Sequence, residues 1–262
     1  MSATNPEPIQ VTRDGAVAIV TINLPQRRNA MGRAARHALR DTVHRLMVDD
    51  PDSRALVLTG AGGHFCAGAD ISEMTQRTIL QSREILRESC EVVRDLCGGP
   101  KPVVAAVEGV AFGAGLSLVA ACDYVVAAAS ARFCAAFLRV GLVPDTGIFW
   151  TLPKKIGMTH ARALLSLANE IDGTRALRIG LANQVTEPGA ALPAAIAYAR
   201  ELARNPPLGM ALTKAALTSG ADTMDASLRA EIDYQPVLRQ SQDHLEAARA
   251  FMEKRPPVFT GQ

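Results

Sequence analysis

The chain has little net charge, no long apolar run and no paired cysteines, and each shortage removes a class of function. Its 28 basic and 26 acidic side chains nearly cancel over 262 residues, so neither nucleic acid nor an anionic membrane is an expected partner. No apolar stretch approaches the roughly 18 residues needed to span a bilayer. The opening residues, Met1 to Pro8, lack the basic-then-apolar order of a secretory leader. Five cysteines, at 66, 90, 97, 122 and 134, contain no Cys-x-x-Cys pair, which argues against a zinc site and a disulfide framework alike. A cytoplasmic protein without metal is the expectation.

Two nucleotide-binding signatures are missing as well. Gly60-x-Gly62 follows an apolar run, but the third glycine of a dinucleotide fingerprint would fall at Phe65. A phosphate loop of the type Gly-x-x-x-x-Gly-Lys-Ser/Thr is absent.

With 48% apolar and 21% charged residues, the chain has enough material for a globular core, as one large domain or one domain with an appendage. Apolar runs at 17–22, 55–59, 102–107 and 124–127 read as strands. Helical patterns fall at 31–47, 79–97 and 113–122. After Pro153 the chain reads as mostly helical, over 159–168, 174–180, 191–204, 207–218, 223–240 and 243–254. Early alternation followed by helices predicts an α/β core over residues 1–200 and a helical region over 201–262, with Asn205-Pro206-Pro207 as the hinge.

Two glycine-rich stretches dominate what is present. Gly60-Ala61-Gly62-Gly63-His64-Phe65-Cys66-Ala67-Gly68-Ala69-Asp70 follows one predicted strand, and Gly109-Val110-Ala111-Phe112-Gly113-Ala114-Gly115 follows another. Glycine lets bare backbone approach a ligand. Two such strand exits can offer two N–H donors to one oxygen, the arrangement of an oxyanion hole.

Candidate side chains are few. His37 and His44 lie in an arginine-rich helix and read as a solvated face; His160 and His244 read as helix-surface residues, and no pair has zinc spacing. His64 sits in the first glycine loop, where a ligand contact is open to it. Ser117 lacks a nucleophile elbow, and Cys66 has no base beside it in sequence. Asp145, in Val140-Gly141-Leu142-Val143-Pro144-Asp145-Thr146-Gly147, is one carboxylate in an apolar segment. It reads either as a turn or capping residue or as a desolvated general base.

Asn29-Ala30-Met31, Phe65-Cys66-Ala67-Gly68-Ala69-Asp70, Lys101-Pro102-Val103 through Gly115, Cys122-Asp123 and Phe251-x-Glu253-Lys254-Arg255 occur in this order over nearly the whole chain. Together they resemble the crotonase, or enoyl-CoA hydratase/isomerase, superfamily. The resemblance implies an α/β spiral of β-β-α units with a helical C-terminal trimerisation region, assembling as a homotrimer or hexamer. It implies an acyl-CoA thioester substrate, with coenzyme A as part of that substrate and no separate cofactor. The matching oxyanion donors are the Ala69 and Ala114 amides, Ala114 standing where the family usually has glycine.

The two glutamates of family hydratases match Ser117 and Phe137 here, which argues against ordinary hydration. Asp145 falls where double-bond-shifting members hold their single acid. Pro144-Asp145-x-Gly147, Trp150-x-Leu152-Pro153 and Phe259-Thr260-Gly261 are most similar to the branch of enoyl-CoA and epoxyphenylacetyl-CoA isomerases. The expected reading is therefore an acyl-CoA isomerase with Asp145 as acid and base. Hydratase, another acyl-CoA lyase or hydrolase, and a catalytically silent acyl-CoA-binding protein are the alternatives. Cys66, Ala67, Gly68, Asp70, Gly113, Gly115, Phe137, Leu142 and Trp150 are expected around the substrate, and Arg27, Arg28 and Lys254 near the coenzyme A phosphates.

Overall fold

The computed structural model describes residues 7–219 and 222–262. Of the opening residues that were compared with a leader, the first six lie outside that range. The chain begins with a hairpin, β1 (Ile9–Asp14) and β2 (Val17–Ile22), and then α1 (Arg33–Val48), β3 (Ala55–Gly60) and α2 (Ile79–Gly98) follow. Next come β4 (Val103–Val107), β5 (Val110–Phe112), α3 (Ala114–Ala121), β6 (Tyr124–Ala128) and β7 (Arg132–Cys134). The remainder is α4 (Ile148–Leu167), β8 (Ile171–Asp172), α5 (Gly173–Arg178), β9 (Gln184–Thr186) and the helices α6 (Ala191–Ala203), α7 (Pro207–Ser219), α8 (Met224–Arg239) and α9 (Gln242–Glu253).

Successive strands feed two sheets. The larger runs β1-β2-β3-β4-β6-β9 and is parallel except for the β1–β2 hairpin; the smaller runs β5-β7-β8. Each of β4 and β6 lies in the larger sheet, and the strand that follows it, β5 or β7, lies in the smaller one. This is the winding of a β-β-α spiral. The larger sheet is covered on both faces, which is why its strands read as continuous apolar runs. Along β2, Ala18, Val20 and Ile22 enter one core with Leu39, Leu116 and Ile148, while Val17 and Ile19 enter the other. That second core is closed by α6, whose Ala191, Ala195, Ala199 and Ala203 form a smooth stripe against Val57, Val104 and Val126.

Differences from the sequence reading have local causes. The fourth helix begins at Ile148, well before the predicted 159, and carries Pro153 inside and a break at Gly157 with φ 73°. Those two residues hid its first half, since proline removes a helical N–H and glycine supplies the kink. Strands β1, β7, β8 and β9 went unread, three of them being no longer than three residues. The second glycine stretch is a strand at its centre, β5, and not loop throughout. Met31 stands outside α1, in a parallel bridge with Ala69.

Among the described residues the segment after Ala203 forms helices and no strand, and an ion pair with its ammonium end buried fastens the first of them to the core. Lys214 Nζ donates to Asp123 Oδ2 at 2.6 Å and to the Lys101 carbonyl at 2.8 Å, while the same Asp123 oxygen accepts from Val103 N at 2.8 Å. Among the described residues no helix is long and apolar enough to cross a membrane.

Candidate active site

The two glycine-bearing strand exits are laced together by backbone. Phe65 N donates to the Glu108 carbonyl at 2.8 Å, Cys66 N to Val110 at 2.9 Å, and Phe112 N back to Cys66 at 2.9 Å. Buried Asn29 clamps the first exit from below, its Nδ2 donating to the Ala61 and His64 carbonyls at 2.9 and 2.6 Å and its Oδ1 accepting from Leu24 N at 2.8 Å. Contact is so close that a methyl on Gly115 would lie 2.2 Å from the Cys66 carbonyl oxygen. Gly68 has φ +104°, and a methyl there would lie 2.8 Å from the Phe112 oxygen and 3.5 Å from the Ala114 nitrogen. Glycine at these two positions lets the loops touch.

Lacing leaves two amides over. Met31 N bonds to the Gly68 carbonyl at 2.8 Å and Asp70 N to the Met31 carbonyl at 3.1 Å, so the Ala69 amide between them points away from Met31. Ala114 opens α3, where the first N–H groups have no partner within the helix. Among the described residues neither the Ala69 nor the Ala114 amide finds an acceptor. Two unused donors on touching loops form a site for a partial negative charge.

Asp145 is tied to the same helix. Ser117, in the second turn of α3, donates through Oγ to the Asp145 carbonyl at 3.0 Å and lies 3.5 Å from the Gly113 carbonyl. Thr146, at φ +56°, donates through Oγ1 to Asp145 Oδ1 at 2.8 Å. Burial pushes the Asp145 carboxyl above its ordinary value, against the opposing pulls of the Thr146 hydroxyl and the Arg36 guanidinium. A carboxylate held in this way is a better base than one in water.

Asp145 and Ala69 line one cavity of about 300 Å³, with Leu142 and Val143 on the acid's side and Ile85 and Leu86 from α2. Asp70 lies on its edge, paired with Arg27 and accepting from Ser72 N at 3.0 Å. Of the residues expected around a substrate, Ala69, Asp70, Leu142 and Asp145 thus share a wall. Cys66, Gly68 and Gly115 belong to the laced backbone outside the cavity lining, Gly113 N bonds to the Cys134 carbonyl at 2.9 Å, and Ala67 N bonds to the Arg28 carbonyl at 2.9 Å. Phe137 does not reach the cavity, because its 3₁₀ turn points it into the core at 6% exposure. Trp150 lines a separate hollow with Cys90, Cys97 and Thr218, its ring under the Lys154 ammonium at 4.4 Å. Arg28 sits in a left-handed turn, and Lys254 ends α9, outside the cavity lining.

Other candidates take structural places. Cys66 is fully buried with its thiol pushed up to about 12 by desolvation, and its Sγ is 3.1 Å from the Asn29 carbonyl oxygen. His64 accepts from Val110 N at 3.4 Å, while His37 and His44 pair with Glu88 and Asp95 across α1 and α2. No group of three or more metal-ligating side chains gathers among the described residues.

Three contributors were missed in the sequence. Ser117 and Thr146 hold the acid, and Arg36 enters the cavity from α1. Neither hydroxyl belongs to a motif that marks such a task. Arg36 is one of several arginines on a helix whose polar face reads as solvated; its spacing from Asp145 is purely tertiary.

Residues 12–262 match the family model described as enoyl-CoA hydratase/isomerase. The 1,2-epoxyphenylacetyl-CoA isomerase of Escherichia coli K12 is 38% identical over 251 residues, covering 94% of this chain and 95% of its own. Crotonyl-CoA hydratase of Syntrophomonas wolfei is 34% identical over 255 residues, covering 97% and 98%. The crystal structure of enoyl-CoA hydratase from Bacillus anthracis superposes with a TM-score of 0.92 at 29% identity, covering 97% of this chain and 100% of that one. With its laced donors and β-β-α winding, the chain belongs to the enoyl-CoA hydratase/isomerase family, the crotonase superfamily.

Proposed function

We propose that the protein is an acyl-CoA isomerase in which Asp145 moves a proton while the Ala69 and Ala114 amides hold the thioester oxygen. The observation that carries this reading is the desolvated carboxylate of Asp145, whose pKa is raised by burial and which shares a cavity wall with Ala69. Taking a proton from the carbon beside a thioester places negative charge on the carbonyl oxygen. Donors fixed in advance stabilise that enolate more than the ground state. Returning the proton from the same carboxyl to a different carbon completes an isomerisation without water.

Hydration needs a second group to activate water. The two positions where hydratases of the family hold glutamates are Ser117 and Phe137, and both have other employment, in a hydrogen bond to the Asp145 loop and in the core. The substrate classes that suit one carboxylate are a 3-enoyl-CoA and a ring epoxide of an arylacetyl-CoA. The similarity to the Escherichia coli isomerase favours keeping the second in view. Coenzyme A would enter as part of the substrate, its phosphates near Arg27, Arg28 or a Lys254.

Parallel assays test the preference. The expected result is conversion of a 3-enoyl-CoA to its 2-enoyl isomer, or opening of the ring epoxide, at least 100-fold faster than hydration of a 2-enoyl-CoA, on the order of one lost acid–base group. Hydration as fast as either isomerisation would overturn it.

A further inference from the structure

Arg36 is the least explained charge near the site. It lies in the first turns of α1 and lines the cavity that Asp145 and Ala69 share. Its Nε is shielded from solvent and has no hydrogen-bond partner. Among the described residues nothing forms an ion pair with its guanidinium, although three carboxylates line the same cavity.

Each of those carboxylates has other partners. Asp70 pairs with Arg27 and accepts from Ser72. Glu73 accepts from Arg33 N at 2.7 Å, closing the N-terminus of α1. Asp145 accepts from Thr146 and feels Arg36 only through space. Arg77, the other cation on this wall, donates to the Glu73 carbonyl at 2.7 Å. A guanidinium has five donors and no means of shedding its charge, so leaving the shielded Nε without an acceptor is costly unless a ligand completes it.

We propose that Arg36 is a specificity-determining residue that donates to an oxygen carried on the acyl group, so that the preferred substrates are acyl-CoAs bearing an oxygen besides that of the thioester carbonyl. The inference rests on the acyl-CoA reading of the cavity, and it sharpens the substrate class. Leu142, Val143, Ile85 and Leu86 supply apolar contact for the rest of the acyl group. A plain hydrocarbon chain would fill the cavity and leave Arg36 still unsatisfied. An epoxide or carbonyl oxygen would accept one bond and a carboxylate two.

Three saturated five-carbon thioesters separate these cases, since none can isomerise. Calorimetric titration would compare valeryl-CoA, 4-oxopentanoyl-CoA (a neutral oxygen) and glutaryl-CoA (a carboxylate), with free coenzyme A as reference, on the wild type, Arg36→Met and Arg36→Lys. One or both oxygenated ligands should bind the wild type about tenfold or more tightly than valeryl-CoA, the range of a charge-assisted hydrogen bond. Which of them gains tells a neutral acceptor from an anionic one. Arg36→Met should bring the ratio close to one and Arg36→Lys should keep part of it. Equal affinities in the wild type would overturn the proposal, even should the variants fail to fold, and so would a ratio that survives Arg36→Met. Failure of the isomerase reading looks different: oxygen preference would persist while wild-type isomerisation is absent. If no thioester bound more tightly than coenzyme A, both readings would fall together.

Discussion

The two sides of the site are built from different materials. On the donor side the Ala69 and Ala114 amides are set mainly by backbone bonds, with Asn29 bracing one loop, and the loops are so close that Gly115 has no room for a methyl. On the acid side Asp145 is set by side chains, through Ser117 and Thr146. In the proposed reaction negative charge leaves Asp145 as it takes the proton and builds on the oxygen at the donors, and mutation reaches the two sides differently. Substitution on the donor side acts through shape and damages the fold together with catalysis. Substitution on the acid side acts through chemistry and can leave the fold intact.

The largest effect on stability should come from Gly115→Ala, which forces a methyl to within 2.2 Å of the Cys66 oxygen. A backbone clash of that kind should cost about 3 kcal/mol or more. The melting temperature would then fall by roughly 6 °C or more for a chain of this size, and activity would fall with it. Unchanged melting accompanied by lost activity would break the comparison.

Ser117→Ala should act in the opposite proportion. Losing one bond to the Asp145 carbonyl is worth about 1 kcal/mol, while the rate should drop several-fold because the acid's loop loses its tie to α3. A variant with wild-type kcat would show that the tie positions nothing.

Asp145→Asn should leave stability intact or improve it at neutral pH. Folding raises this carboxyl above its ordinary 3.8, so the folded protein holds the proton more tightly than the unfolded chain. Stability attached to this group is therefore complete below 3.8 and is lost as pH rises through the folded value. Asparagine carries no such penalty, and denaturant melts at pH 7 and pH 4 should show its advantage only at the higher pH.

Thr146→Ala should give the smallest change, and a directional one. Without its hydroxyl the Asp145 carboxylate loses a stabilising donor, so the acid limb of kcat/KM should move to higher pH. A limb that stays in place, or moves lower, would remove Thr146 from the acid's surroundings.

How legible each side was in the sequence follows from the same contrast. The paired strand exits could be read because glycines after apolar runs are local signals, and so were most helices and the buried strands. The Asp145 segment could be located, but its role could not be derived locally, since Pro144 and Gly147 suit an ordinary turn equally well. Only resemblance to the family separated the two readings. Ser117 reaches Asp145 from α3 and Arg36 faces it across the cavity from α1, which no spacing in the sequence encodes, while Thr146 is its chain neighbour and nothing local marks its hydroxyl as the donor. Trp150 shows the converse: its apolar ring reads as a pocket residue, while the first turn of α4 sets it in a separate hollow under Lys154.

The central claim is that a single carboxylate carries the proton. Its most direct test is isomerisation of a 3-enoyl-CoA and of an arylacetyl-CoA ring epoxide by wild type and Asp145→Asn in parallel, at the pH of maximal wild-type rate. The account predicts a fall in kcat of about 10²–10⁴-fold for whichever substrate the wild type turns over, with melting temperature and thioester affinity retained. Equal rates in the two proteins would contradict it.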